Sequence, residues 1–218
     1  MISTILEFVK NPHPSQLISA VKELPTNSKY ALLGNTAKIL LQQLSKNLQP
    51  GSIVVEVGIY LGSSTAILAR ANSNIEVHSY DLFDDHPYDD IHDQLLATAF
   101  GAKKDRSLVN VASLLTQYSN VTLNQVEYLK EPIFDKEIDM FIEDASHCDP
   151  QLTNTLEHWI PKIKINGILL IHDYRPWLKE GEHRCFPAVN YHVNRLMKDD
   201  NWKFYGEVGS YAVFERIK

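Results

Sequence analysis

The amino-acid sequence predicts a doubly wound α/β protein with a mostly parallel sheet of seven strands that closes in an antiparallel hairpin. Three observations carry the prediction. Compact β-branched runs alternate with stretches of helical period, a glycine-bearing turn joins the first run to a helix, and two strand-like runs near the C-terminus meet at one glycine. The 218 residues can bury one sizeable core, whereas two equal domains would each be small. We therefore expect a helical N-terminal extension over residues 1–50 and one principal domain over 51–218.

In the extension, Ile5, Phe8 and Val9 make one apolar helical face, and Leu17, Ile18, Val21 and Leu24 a second. Ala37, Leu40, Leu41 and Leu44 make a third, opened by Asn35-Thr36 as a cap and closed near Pro50-Gly51. The period then changes. Ser52 to Gly58 is a β-branched run suited to a strand buried on both faces of a parallel sheet. A helix follows from Ser63 to about Arg70, and Ile75–Phe83 reads as the second strand. The stretch from about Asp84 to Asn120 is long for a connection, with helical patterns at Leu95–Phe100 and Leu108–Leu115, and such segments commonly carry substrate or a lid. Val121-Thr122-Leu123, Ile138–Glu143 and Gly167–Ile171 supply three further strands. Asp149-Pro150 is read as the cap and first-turn proline of a helix that Pro161 ends. A helix with Val189, Val193, Leu196 and Met197 on one face leads to Trp202–Val208 and Ser210–Arg216, joined at Gly209.

Composition narrows the function. With 21 Lys+Arg against 27 Asp+Glu the formal charge is −6, which argues against nucleic-acid or anionic-membrane binding, since both depend on clustered basic residues. The longest apolar run is far shorter than the roughly 20 residues of a membrane span. No basic stretch or small-residue cleavage site precedes Glu7, so a signal peptide is not expected. Two cysteines, Cys148 and Cys185, suit a reducing compartment, and the cytoplasm is the expected location.

The strongest local signal is Glu56-Val57-Gly58-Ile59-Tyr60-Leu61-Gly62-Ser63-Ser64, between a strand and a helix. Gly58 can make the tight turn, Gly62 can let a ligand approach the backbone, and the helix N-terminus with Ser63 and Ser64 offers donors to a carboxylate or phosphate. A plain capped turn fits the same residues. Asp81, about 23 residues after Gly58 at the end of the second strand, stands where an acidic residue accepts bonds from ribose hydroxyls; Asp84 or Asp85 are alternatives. Together these point to an adenosine-containing ligand, and the Gly58-x-x-x-Gly62 spacing departs from the dinucleotide fingerprint.

These motifs, with Phe141 to His147 and Asn166 to Tyr174, in order from about Ala31 to Arg216, resemble class I S-adenosylmethionine-dependent methyltransferases with a Rossmann-like sheet. The subfamily resembled is one whose fourth strand ends in Asp-Gly-x-His and fifth in His-Asp-Tyr. Two departures are Ala145 for the glycine and Asn166-Gly167 for a glycine pair. The resemblance implies that Glu56, Gly58, Tyr60, Gly62, Ser63 and Ser64 line the methionine end of the cofactor, that Asp81 holds the ribose, and that Gln125 to Tyr128 lies near adenine. It also implies Asp144 and Asp173 as ligands of a divalent ion, Mg2+, with His172 at a position where relatives have a second carboxylate.

Asp144, His147, His172 and Asp173 all fall at strand ends, where open α/β sheets bind ligands. His147 is the candidate base for a hydroxyl acceptor, because histidine titrates near working pH. His172 reads equally as a strand-end histidine bonded to backbone, Asp173 as a loop cap, and His147 as a satisfied polar residue. Cys148 reads as an inert buried thiol, and Arg175, Trp177 and Arg184 as loop residues. The expectation is O-methylation of a small polar molecule such as a sugar or natural-product hydroxyl, in a protein whose N-terminal helices could serve a homo-oligomer. The alternatives are a non-catalytic adenosyl-binding protein and a nucleotide-dependent enzyme of related fold.

Overall fold

The computed structural model describes residues 2–11, 19–25, 33–83, 106–126, 132–179, 181–182 and 186–218. Helices α1 (Ile2–Lys10) and α2 (Asn35–Lys46) precede strand β1 (Ile53–Val57) and helix α3 (Ser63–Ala71). Then come β2 (Glu76–Asp81), α4 (Leu108–Leu115), β3 (Val121–Gln125), β4 (Ile138–Glu143), α5 (Gln151–Trp159) and β5 (Ile163–Ile171). Helix α6 (Pro187–Leu196) and strands β6 (Trp202–Val208) and β7 (Tyr211–Arg216) complete the chain.

The sheet order is β3-β2-β1-β4-β5-β7-β6. β1 to β5 are mutually parallel, and β7 runs antiparallel to both β5 and β6. The expected hairpin is present, but its second strand lies inside the first, so β6 occupies the edge. Chain order reverses between β1 and β4, whose carboxyl ends therefore border the crevice where such sheets bind ligands.

Alternate strand residues feed opposite layers. Val54, Met140, Ile142 and Leu170 join the cores of α1, α2 and α3 on one face. Val55, Phe141 and Leu169 meet α5 and α6 on the other. The first face includes Ile2, Ile5, Leu6 and Val9, so the N-terminal helix shares the sheet's core.

Several expectations change in detail. The N-cap of α2 is Gly34, without a side-chain bond, and Asn35 is already helical. Asp149 stands one residue farther out than expected: Pro150 is the N-cap of α5, while Asp149 Oδ1 accepts from Thr153 N at 3.2 Å and Thr153 Oγ1 at 2.6 Å. Pro161 lies in a 3-10 turn, Ile160–Lys162, that follows α5. Met197 is a C-cap and 46% exposed, because the helical face ends with Leu196. Leu17, Ile18, Asp84, Asp85 and the Leu95–Phe100 pattern lie outside the described residues.

Candidate active site

The β1–α3 turn is shaped by two glycines with different neighbours. Gly58 has φ +85°, and a Cβ there would stand 2.3 Å from the carbonyl oxygen of Asp144 and 2.5 Å from Ala145 Cα. Only glycine lets β1 and β4 end in contact. Gly62, at φ +70°, is the N-cap of α3, and a Cβ would meet Leu115 Cδ1 at 2.8 Å. Its missing Cβ thus makes room for Leu115 of α4. Tyr60 also takes a positive φ, 51°, and the Arg106 guanidinium lies 5.9 Å from its ring centre.

Asp81 clasps this turn. Its Oδ2 accepts from the N–H groups of Ile59 at 2.7 Å and Tyr60 at 3.0 Å, and its Oδ1 from Phe83 N at 2.8 Å. A carboxylate has about four acceptor positions, so a fourth remains for a hydroxyl. Ser63 and Ser64 are buried in the first turn of α3.

Glu56 lies fully buried, with Oε2 accepting from Thr65 Oγ1 at 2.7 Å and Ser79 Oγ at 3.3 Å, and with Oε1 making no hydrogen bond of good geometry. Burial pushes its pKa up to about 7, against the pull of the Ser64, Thr65 and Ser79 hydroxyls, and the Asp144 charge adds to the rise.

The second constellation gathers at the ends of β4 and β5. His172 Nδ1 lies 2.7 Å from Asp144 Oδ1, an ion-pair contact in which the ring N–H is not aligned for a hydrogen bond. His147 Nε2 is 3.3 Å from Asp173 Oδ2 and 4.0 Å from Asp144 Oδ1. The His147 ring stacks on Phe186, centroids 4.5 Å apart. Asp173 Oδ1 accepts from Arg175 Nη2 at 2.7 Å. Burial opposes charge on His172, but Asp144 and Asp173 outweigh it and raise its pKa. Burial likewise opposes charge on Asp173, yet His172, His147 and Arg175 hold its pKa below the usual carboxylate range.

Two participants had no motif to mark them. Glu143 is fully buried beside Asp144, and its Oε1 accepts from Ala145 N at 3.2 Å and Ser146 N at 3.1 Å while Oε2 makes no bond. Burial first, then the Asp144 charge, push its pKa up to about 8. An acidic residue ending the apolar run Ile138–Ile142 was the available signal. Tyr211 on β7 is fully buried with an unpartnered hydroxyl, its ring 4.6 Å from that of His172. No spacing in the sequence foretells that β7 pairs with β5 and brings it there.

A family model described as a methyltransferase domain matches residues 55–174, more than half of the chain. The protein belongs to the methyltransferase-domain family. The resemblance to class I S-adenosylmethionine-dependent methyltransferases is thereby borne out at the level of family and fold. This methyltransferase-domain chain is also similar in structure to the Bacillus cereus O-methyltransferase in complex with S-adenosylhomocysteine, with a TM-score of 0.54, 16% identity and 100% of both chains covered. It is similar to the O-methyltransferase TomG of Streptomyces achromogenes, involved in tomaymycin synthesis and in complex with S-adenosylmethionine. There the TM-score is 0.55 at 14% identity, over 99% of this chain and 96% of that one. For the S-adenosylhomocysteine-bound Podospora anserina methyltransferase PaMTH1 the TM-score is 0.57 at 16% identity, over 100% of this chain and 94% of the other. At such identities the likeness is one of fold. No curated protein matches the sequence.

The residues expected as ion ligands are brought together in part. Among the described residues, the group whose ligand atoms all lie within 4.8 Å of one another is Asp144, His147 and His172. Asp173, expected as a ligand, falls outside this group, its carboxylate engaged by Arg175 and His147. Cys148 is exposed rather than buried, on the turn leading to α5. Trp177 is exposed, Gln125 Nε2 reaches Leu82 O at 3.4 Å, and Arg184, Cys185 and Tyr128 lie outside the described residues. No helix among the described residues is long and apolar enough to cross a membrane.

Proposed function

We propose that the protein transfers the methyl group of S-adenosylmethionine to a hydroxyl oxygen of a small polar molecule, a sugar or natural-product hydroxyl being the expected class. The observation that carries this reading is the contact of Gly58 with Asp144 and Ala145, which sets the cofactor turn directly beside the Asp144, His147, His172 and Asp173 cluster. Both reactants would then occupy one crevice, and alignment can lower such a barrier by roughly 7–11 kcal/mol.

S-adenosylmethionine supplies the electrophilic methyl group. The residues around it have distinct tasks. Asp81 holds the turn through Ile59 and Tyr60 and has one acceptor position left for a ribose hydroxyl. The buried Glu56 lies beneath the same turn, and the N-terminus of α3 beyond Gly62 suits the carboxylate of the cofactor's methionine end. The acceptor hydroxyl lies over Asp144 and His147. In the ion-free protein His147, steadied by Asp173 and by stacking on Phe186, takes its proton as oxygen attacks the methyl carbon.

Calorimetry with S-adenosylhomocysteine and, separately, with NAD tests the cofactor. Saturable 1:1 binding of S-adenosylhomocysteine is expected, and binding of NAD alone would end this reading. Methylation of a hydroxylated metabolite panel, followed by mass, tests the acceptor. Loss of turnover in His147→Ala with cofactor affinity retained is expected, and unchanged turnover would remove His147 from the chemistry.

A further inference from the structure

We infer that Asp144, His147 and His172 form a site for a borderline divalent transition ion, of the Fe2+, Co2+, Ni2+ and Zn2+ kind, rather than for Mg2+. The inference rests on the methyltransfer reading for its purpose but not for the binding itself. Its basis is the donor set. One carboxylate and two imidazoles offer their ligand atoms within 4.8 Å of one another, and Asp144 Oδ1 is only 2.7 Å from His172 Nδ1. Ligands with bonds of about 2.1 Å around a shared ion stand about 3–3.5 Å apart, so small side-chain rotations close the set.

His172 strengthens the case. It is 8% exposed, and its Nδ1 faces the Asp144 oxygen without an aligned hydrogen bond. An ion that took the place of the proton between these two atoms would hold both donors. Imidazole nitrogen suits Zn, Cu, Fe and Ni, whereas Mg2+ calls for oxygen ligands and retained water. The carboxylate that would have made the set oxygen-rich is Asp173, and Arg175 and His147 hold it outside the group. Asp173 Oδ2 lies 3.3 Å from His147 Nε2, the nitrogen that also faces Asp144, so Asp173 holds His147 at the site in the ion-free protein and would give up that contact to an ion. Such an ion, held by Asp144, His147 and His172, would lower the pKa of an acceptor hydroxyl bound to it, so that the proton could leave to water.

The test uses the full chain stripped by chelator and dialysis, titrated in separate calorimetric runs with ZnCl2 and MgCl2, and with CoCl2 followed by visible absorption. One equivalent of Zn2+ should bind at least about tenfold tighter than Mg2+, and Co2+ should develop ligand-field bands. His172→Ala should weaken Zn2+ by more than the roughly 10- to 100-fold that loss of an outer partner costs, whereas Asp173→Asn should stay within that range. His172→Asp, which restores an oxygen ligand, should shift preference toward Mg2+ and keeps the question answerable if the alanine variant does not fold. Equal affinity for Zn2+ and Mg2+, no binding of either, no shift in His172→Asp, or a larger loss in Asp173→Asn than in His172→Ala would overturn the assignment. S-adenosylhomocysteine is titrated into the same samples. Its failure to bind sinks the methyltransfer reading and leaves the ion result standing.

Discussion

At the β1–α3 turn the oxygens of Asp81 are met by backbone N–H groups, while around the cluster at the ends of β4 and β5 several buried polar atoms have no hydrogen bond. The turn is held by Ile59 N, Tyr60 N and Phe83 N on one carboxylate, and by a glycine at φ +85° whose missing Cβ admits the Asp144 carbonyl. The strand-end cluster instead stands beside Glu143 Oε2 and the Tyr211 hydroxyl, both without a hydrogen bond among acidic neighbours. In the first region the Asp81 oxygens are already paired within the chain, so the turn is held before anything binds. The second keeps polar atoms at the free energy of desolvation, about 1–3 kcal/mol for each unsatisfied group, and a ligand or ion can recover part of it. The turn is held by backbone shape, and the character of the strand-end cluster is set by charge.

The largest expected effect breaks the contact between the two regions. Gly58→Ala combines an unfavourable φ with a 2.3 Å clash on backbone that cannot rotate away, and should cost on the order of 3–5 kcal/mol in a urea melt. Gly51→Ala is the control: its φ is +81° but nothing lies within 4 Å, so about 1 kcal/mol is expected. Equal losses in the two variants would show that the close approach of β1 to β4 carries no weight.

Removing chemistry while sparing the cradle comes next. Asp144→Ala should lower turnover by about 10²–10⁴-fold and leave the affinity for S-adenosylhomocysteine within a few-fold. A parallel fall in cofactor affinity would mean that the two regions are not separable. Asp81→Asn tests the reverse. The amide cannot accept on both sides, so Phe83 N or the Ile59 and Tyr60 pair faces an NH2 group, and a loss of about 1–3 kcal/mol in stability is expected, with weaker cofactor binding.

The smallest effect concerns pH. Glu56 and Glu143, ordinarily near 4.5, are raised to about 7 and about 8 in the folded protein, so the native state holds their protons more tightly than the unfolded chain. Their stabilising share is complete below about pH 4.5 and is lost as pH rises through 7 and 8. The melting temperature should accordingly slope downward between about pH 5 and about pH 8.5, and Glu143→Gln should flatten that slope. An unchanged slope in the variant would assign the pH dependence elsewhere.

Much of this molecule is legible in the order of its residues. Runs such as Ile138–Ile142 and Gly167–Ile171 are β-branched and apolar because both faces of a central parallel strand are covered, and that demand is written at each residue. The strand-end positions of Asp144, His147, His172 and Asp173 follow from the same runs. What is not legible depends on pairing between distant segments. That Asp81 accepts three N–H groups depends on how the turn after β1 lies against β2, and that Asp173 belongs to Arg175 depends on the backbone at φ 54°.

The sequence by itself determined the alternation of strands and helices, the glycine-bearing turn and the residues at the strand ends, because these obey local periodicity and local backbone sterics. The tertiary structure alone decided that β7 lies between β5 and β6, that Tyr211 and Glu143 join the cluster, and that the donor atoms of Asp144, His147 and His172 lie within 4.8 Å of one another. Those outcomes turn on distances of a few ångströms between residues far apart in the chain, where burial and neighbouring charge set each group's chemistry, and no pattern along the chain encodes them.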